Sequence, residues 1–215
     1  MNLTSRMTRS AFLLSLLASG LALSACAPLL VGGAVLVGVD RRTSGAQLED
    51  QGIELRAASR LRERFPNNAR FEIASFNRRV LLLGEVANES DKQAAEQIVA
   101  QVDNVQSIVN ELDISGPVGL TQRANDSVIT GRVRLALTQA PDIVANAYKV
   151  VTNRSTVYLM GRVTQREADR GAEVARAVGG VAKVVRSFEV ITEEELTRMR
   201  PPAPQQPAAP ATTKP

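Results

Sequence analysis

The chain has 215 residues, and its 26 Lys and Arg against 22 Asp and Glu leave a formal charge of only +4, which gives no reason to expect nucleic acid as a partner. It contains no His, no Trp and a single cysteine, Cys26. His-based triads, His/Cys metal sites and intramolecular disulfides are thereby excluded, and no catalytic residue, metal or cofactor is expected.

Residues 1–25 hold Arg6 and Arg9, no acidic residue, and then the apolar run Ala11-Phe12-Leu13-Leu14-Ser15-Leu16-Leu17-Ala18. A charged start followed by an apolar stretch is the pattern of a secretory signal. It ends in Leu23-Ser24-Ala25-Cys26, which resembles the lipobox of bacterial lipoproteins. That resemblance implies cleavage before Cys26, diacylglycerol on its sulfur and a membrane-anchored mature chain. Ala27 rather than Asp follows, which under the enterobacterial sorting rule implies the outer membrane. A second apolar run, 29–39, is interrupted by glycines and falls short of the ~20 residues needed to span a bilayer. It reads either as a segment lying among lipid headgroups or as a tether.

The remainder is duplicated at an offset of 76–77 residues. Asp50-Gln51-Gly52-Ile53 matches Asp126-Ser127-Val128-Ile129, and Val80-Leu81-Leu82-Leu83-Gly84-Glu85-Val86 matches Val157-Tyr158-Leu159-Met160-Gly161-Arg162-Val163. In each copy apolar residues recur every fourth position, Ile53, Ala57 and Leu61 or Ile129, Val133 and Leu137, which predicts an opening helix with one buried stripe. Asp50 and Asp126 stand where an N-cap is expected. After Pro66 and Pro141 come paired strand-like runs, Arg70–Phe76 with 79–83 and Tyr148–Asn153 with 156–160, separated by Asn77-Arg78 and Arg154-Ser155. The short separators predict hairpins.

Gly84 and Gly161 end the second strand of each copy, where a missing Cβ permits positive φ or a close backbone approach. A second helix is predicted at 90–102 and at 165–178. A last strand follows, with Ile108, Leu112 and Ile114, or Val184, Phe188 and Val190, turned inward. Asn110 and Arg186 break that pattern at the same position, which predicts a sheet end or domain edge there. The order αββαβ, a small mixed three-stranded sheet backed by two helices, makes the fold α+β. The duplication predicts two units that fold independently.

This αββαβ unit, with its Leu82-Leu83-Gly84-Glu85-Val86 and Leu159-Met160-Gly161-Arg162-Val163 cores, resembles the BON domain. The lipobox, the stretch Asp40-Arg41-Arg42-Thr43-Ser44-Gly45-Ala46-Gln47-Leu48-Glu49-Asp50 and two such copies in tandem are similar to the dual-BON outer-membrane lipoproteins. The expected organisation is a signal peptide at 1–25, a lipidated tether at 26–49, BON domains at 50–115 and 123–191 with a linker at 116–122, and a disordered Pro-rich tail at 192–215.

The two copies differ in charge. Residues 50–115 carry eight basic and eleven acidic side chains, net −3; residues 123–191 carry eleven and six, net +5. In the second copy Arg162, Arg166 and Arg170 are spaced by four, the last two on one helix face. They are the candidate contacts for an anionic membrane surface, which attracts each nearby Lys or Arg by about 1 kcal/mol. The resemblance adds that such proteins bind anionic phospholipid through the second BON domain and maintain the outer membrane. The alternative is an envelope protein-interaction module, in which the acidic copy and the tail contact a protein partner near the β-barrel assembly machinery or the division site and lipid is only the anchor.

Overall fold

A computed structural model describes residues 40–66 and 69–199. The signal at 1–25, Cys26, the run 29–39 and the Pro-rich stretch from 200 to 215 lie outside the described residues. Within them the elements run α1 (Ser44–Arg64), β1 (Arg70–Phe76), β2 (Arg79–Val86), α2 (Glu89–Ala100), β3 (Ser107–Ile114), α3 (Leu120–Gln139), a single 3₁₀ turn (Ala145–Ala147), β4 (Tyr148–Asn153), β5 (Thr156–Thr164), α4 (Gln165–Arg176), β6 (Lys183–Ile191) and α5 (Glu193–Met199). No described helix is long and apolar enough to cross a membrane.

Each repeat is one sheet with the same topology. β1 pairs antiparallel with β2 and β2 parallel with β3; β4, β5 and β6 repeat the arrangement. The hairpins turn through Asn77-Arg78 and Arg154-Ser155, all four with positive φ, the backbone of a two-residue type I′ turn. The predicted stripes Ile53, Ala57, Leu61 and Ile129, Val133, Leu137 are buried against the sheets.

Four expectations change. Both opening helices begin earlier than the sequence suggested: α1 is capped by Thr43, whose hydroxyl accepts the Ala46 N–H, and α3 starts at Leu120. The tether and linker are shorter accordingly, and Asp50 and Asp126 sit inside the helices as buried residues rather than as N-caps. Ile114 and Val190 are about half exposed, at 51% and 53%, Ile114 as the last residue of β3 and Val190 next to last in β6. Residues 193–199 form α5, which buries Leu196, so the stretch after 191 does not begin as tail.

The fourth change concerns the domains themselves. β2 and β5 are apolar at every position from Val80 to Leu83 and from Val157 to Met160, so both faces must be buried. Val80, Leu82, Val157 and Leu159 face the helices. Ala74, Phe76, Leu81 and Leu83 pack instead on Val151, Tyr158 and Met160 of the other repeat, with Val109 and Val185 at the margin. The two sheets therefore share a third core, and separate fragments would expose it. The two copies pack together as a two-sheet sandwich with helices outside.

Candidate functional site

The duplicated glycines are placed by backbone crowding. At Gly84, φ is +126° and a Cβ would lie 1.9 Å from the Arg70 carbonyl oxygen; at Gly161 it would lie 2.3 Å from that of Ala147. Of the two, Gly84 alone has positive φ; the close approach is of β1 to β2 at Gly84 and of the 3₁₀ turn leading into β4 to β5 at Gly161.

Part of the charge difference between the repeats is met across their interface. Lys149 of β4 meets Glu54 of α1 and donates to the Ser75 carbonyl. Glu85, buried on β2, takes Arg70 Nε at 3.0 Å and faces Arg154 Nε of the second repeat at 3.8 Å, while Arg154 also approaches Asp113 at 3.4 Å. At the opposite end of the sandwich Asn77 donates to Glu189, which pairs with Arg162 at 2.8 Å. Glu85 and Arg162 occupy the same position of the repeat and carry opposite charge.

Arg162 thus lies on β5 and is engaged by Glu189. Arg170 on α4 bonds Asp142 at 2.9 Å and Glu173 at 2.8 Å; Arg166 donates to the Asp142 carbonyl and stands 3.8 Å from Glu193 at the start of α5. All three arginines of the sequence series have acidic neighbours, which weakens the field they present.

A different surface in the second repeat combines free positive charge with apolar exposure. On α3 the stripe Ile129-Val133-Leu137 faces the core, yet Val128 is 50% and Leu135 58% exposed. Leu120, at the first turn, is also exposed. Arg123 and Arg132 are exposed on the same helix and make no ion pair among the described residues. Arg134 donates to the Val150 carbonyl on the outer edge of β4. The signal for this surface was present in the sequence: Val128 and Leu135 fall off the four-residue stripe that burial requires, so the core does not account for them.

Two clefts of about 500 and 600 Å³ lie beside β4 and share Arg134, Lys149 and Val150. Their charged walls are largely neutralised in pairs, Arg42 with Asp40 and Asp50, Lys149 with Glu54. Burial pushes the Glu72 carboxyl up, opposed by Arg70. Burial also drives the phenols of Tyr148 and Tyr158 far up, reinforced by Glu167 and by Glu111 respectively.

Comparison with known proteins bears on this duplicated unit directly. The family model described as the BON domain matches twice, at residues 50–116 and 125–192. The chain is 30% identical to the outer membrane lipoprotein DolP of Haemophilus influenzae over 82% of its own length and 94% of that protein. It is 33% identical to a 21 kDa hemolysin of Actinobacillus pleuropneumoniae over 71% of its length and 80% of that protein. Among solved structures it aligns with CdsD, a structural protein of the type III secretion system of Chlamydia trachomatis, at 17% identity and a TM-score of 0.29, covering 73% of this chain and 99% of that one, too distant to carry argument. With two matched units that coincide with the two observed sheets and their helices, the chain belongs to the BON domain family.

Proposed function

We propose that the protein is an outer-membrane lipoprotein, anchored through Cys26, that binds anionic phospholipid through its second BON domain and supports the integrity of the envelope. The observation that carries the reading is the placing on α3 of Arg132 beside exposed Val128 and Leu135, with Arg123 one turn from exposed Leu120, neither arginine in an ion pair among the described residues. Cations meet the phosphate layer while apolar side chains enter the headgroup and acyl boundary, which is how an amphipathic surface lies on a bilayer. Similarity to a protein named an outer membrane lipoprotein supports the location. Arg162, Arg166 and Arg170 form a secondary surface, moderated by Glu189, Glu193, Asp142 and Glu173.

The reading is tested with the mature chain carrying Cys26→Ser, so that association does not depend on the anchor. It is expected to sediment with phosphatidylglycerol vesicles at low salt and not with phosphatidylcholine. Two lost contacts of ~1 kcal/mol each predict a fall of roughly 10–30-fold for R123S/R132S, and a smaller fall for R166S/R170S. Failure of the parent chain to bind anionic vesicles would refute lipid binding. That outcome favours the second reading, an envelope protein-interaction module, for which Leu48 and Leu55 supply the specific observation: they are 67% and 70% exposed on α1 of the net-negative first repeat, a surface an anionic membrane does not attract.

A further inference from the structure

The Asp40-Arg41-Arg42 segment before α1 is not part of either repeat, yet it is among the most heavily bonded stretches of the chain. Arg41 crosses to the second repeat, where its two terminal nitrogens take the two carboxylate oxygens of Glu167 at 2.7 Å each and one also reaches the Arg162 carbonyl at 2.9 Å. The paired side chains are only 7% and 4% exposed. Glu167 closes the capping box of α4 as well, accepting the Thr164 N–H at 3.0 Å. Arg42 turns to the first repeat: it holds Asp50 at 2.7 Å and lies 4.2 Å over the Phe76 ring. Phe76 itself belongs to the core between the sheets.

We propose that Arg41 and Arg42 form a clasp that fixes one relative arrangement of the two BON domains. The apolar core between the sheets supplies attraction without much direction, since hydrophobic contact is non-directional and two twisted sheets can pack at more than one angle. The polar pairs Lys149–Glu54 and Arg154–Glu85 that also cross the interface each leave a cation 29% or 37% exposed, whereas both members of Arg41–Glu167 are buried. A bidentate Arg–carboxylate pair has a fixed geometry. Buried, it is tolerated only when its hydrogen bonds are met, so it discriminates against arrangements that leave either charge unpaired. Adjacent arginines gripping different domains make the start of the folded region a bridge between them, in addition to the covalent connection between β3 and α3. The burial that pushes the Glu167 carboxyl up is outweighed by Arg41 and the Thr164 N–H, which hold it below the usual carboxylate range, as a made contact requires.

The test uses the full mature chain with Cys26→Ser, which leaves no other thiol, and spin labels at Gln97→Cys on α2 and Arg176→Cys on α4, both exposed. A single narrow interdomain distance is expected. R41Q and E167Q are expected to broaden it into several populations and to speed proteolysis between residues 115 and 119 at least several-fold, while circular dichroism shows both domains still folded. An unchanged distance and cleavage rate in a folded R41Q overturns the clasp. Should R41Q fail to fold, R41K retains the charge without the fork; broadening there supports the proposal and an unchanged narrow distance overturns it.

Discussion

Asp50 reaches from inside α1 to the tip of the β1–β2 hairpin, where its carboxylate accepts the N–H of Asn77 and that of Arg78, each at 2.8 Å. Asp126 does the same from α3 for Arg154 and Ser155, at 3.0 and 2.8 Å. Two consecutive non-glycine residues with positive φ are costly, and each carboxylate pins such a pair by both amides. Asp50→Ala or Asp126→Ala leaves those amides without their acceptor and is expected to destabilise the protein by about 2–4 kcal/mol, with Asn milder than Ala. Urea unfolding of the four variants measures it; a loss within error of zero for both alanines would show that the turns hold themselves.

Two carboxylates, Asp50 and Glu167, set the acid limit of stability. Burial pushes Asp50 up, but hydrogen bonds from Ser75, Arg78, Arg42 and Asn77 overcome it and hold the group below its ordinary value; Arg41 and Thr164 do so for Glu167. A depressed folded pKa means stability that is present above the unfolded values of about 3.9 and 4.3 and is lost as pH falls through the folded ones. The unfolding free energy is expected to be flat from about pH 5.5 to 8, since no His is present to titrate there, and to drop below about pH 4. D50N and E167Q should each lower the plateau and flatten the acid drop. A transition centred near pH 6.5 in the unmodified chain would contradict the assignment.

How much of this was legible depended on whether the pattern was local. Repeat, strand order, hairpin positions and helix stripes follow from periodicities within a few residues of each other, and they place Ile53, Val80 and Leu159 correctly. Asp50 and Asp126 have the local appearance of N-caps, small acidic residues ahead of an apolar stripe, and only the hairpin 27 to 29 residues on reveals their use. The shared core is readable in principle, since an unbroken apolar run such as Val80-Leu81-Leu82-Leu83 demands cover on both faces, but the run itself does not say that the second cover is the other repeat. Arg162, Arg166 and Arg170 read as a basic series because Glu189, Glu193 and Asp142 are remote in sequence; only Glu173, three residues after Arg170, is a local signal of pairing. Nothing local marks Arg41 as the partner of Glu167, 126 residues away.

At the duplicated glycines the two positions should respond unequally. Gly84 combines φ of +126° with a Cβ clash at 1.9 Å, whereas Gly161 has the clash alone, at 2.3 Å. Backbone strain of this kind costs roughly 1–3 kcal/mol, so Gly84→Ala is expected to be the more damaging, by about that amount, with Gly161→Ala destabilising through displacement of β4. Thermal unfolding of the two variants decides it. Equal tolerance of alanine would mean that β1 and β4 move away from the glycines at little cost.

The surface on α3 makes a prediction that separates its two components. Attraction of Arg123 and Arg132 to lipid phosphate weakens as the Debye length contracts from about 10 Å at 0.1 M salt to about 3 Å at 1 M, but burial of Val128 and Leu135 at the acyl boundary does not. Vesicle association of the mature Cys26→Ser chain should therefore fall with salt to a residual level rather than to zero. In V128S/L135S that residue should vanish, because each side chain contributes on the order of 1 kcal/mol when half of it leaves water. At low salt the same variant should bind roughly 10–30-fold more weakly than its parent, with unchanged unfolding behaviour because neither side chain contributes to the core. A salt titration that takes the parent chain to zero, with V128S/L135S indistinguishable from it throughout, would leave the arginines as the whole of the attachment and the exposed apolar side chains of α3 without a part in it.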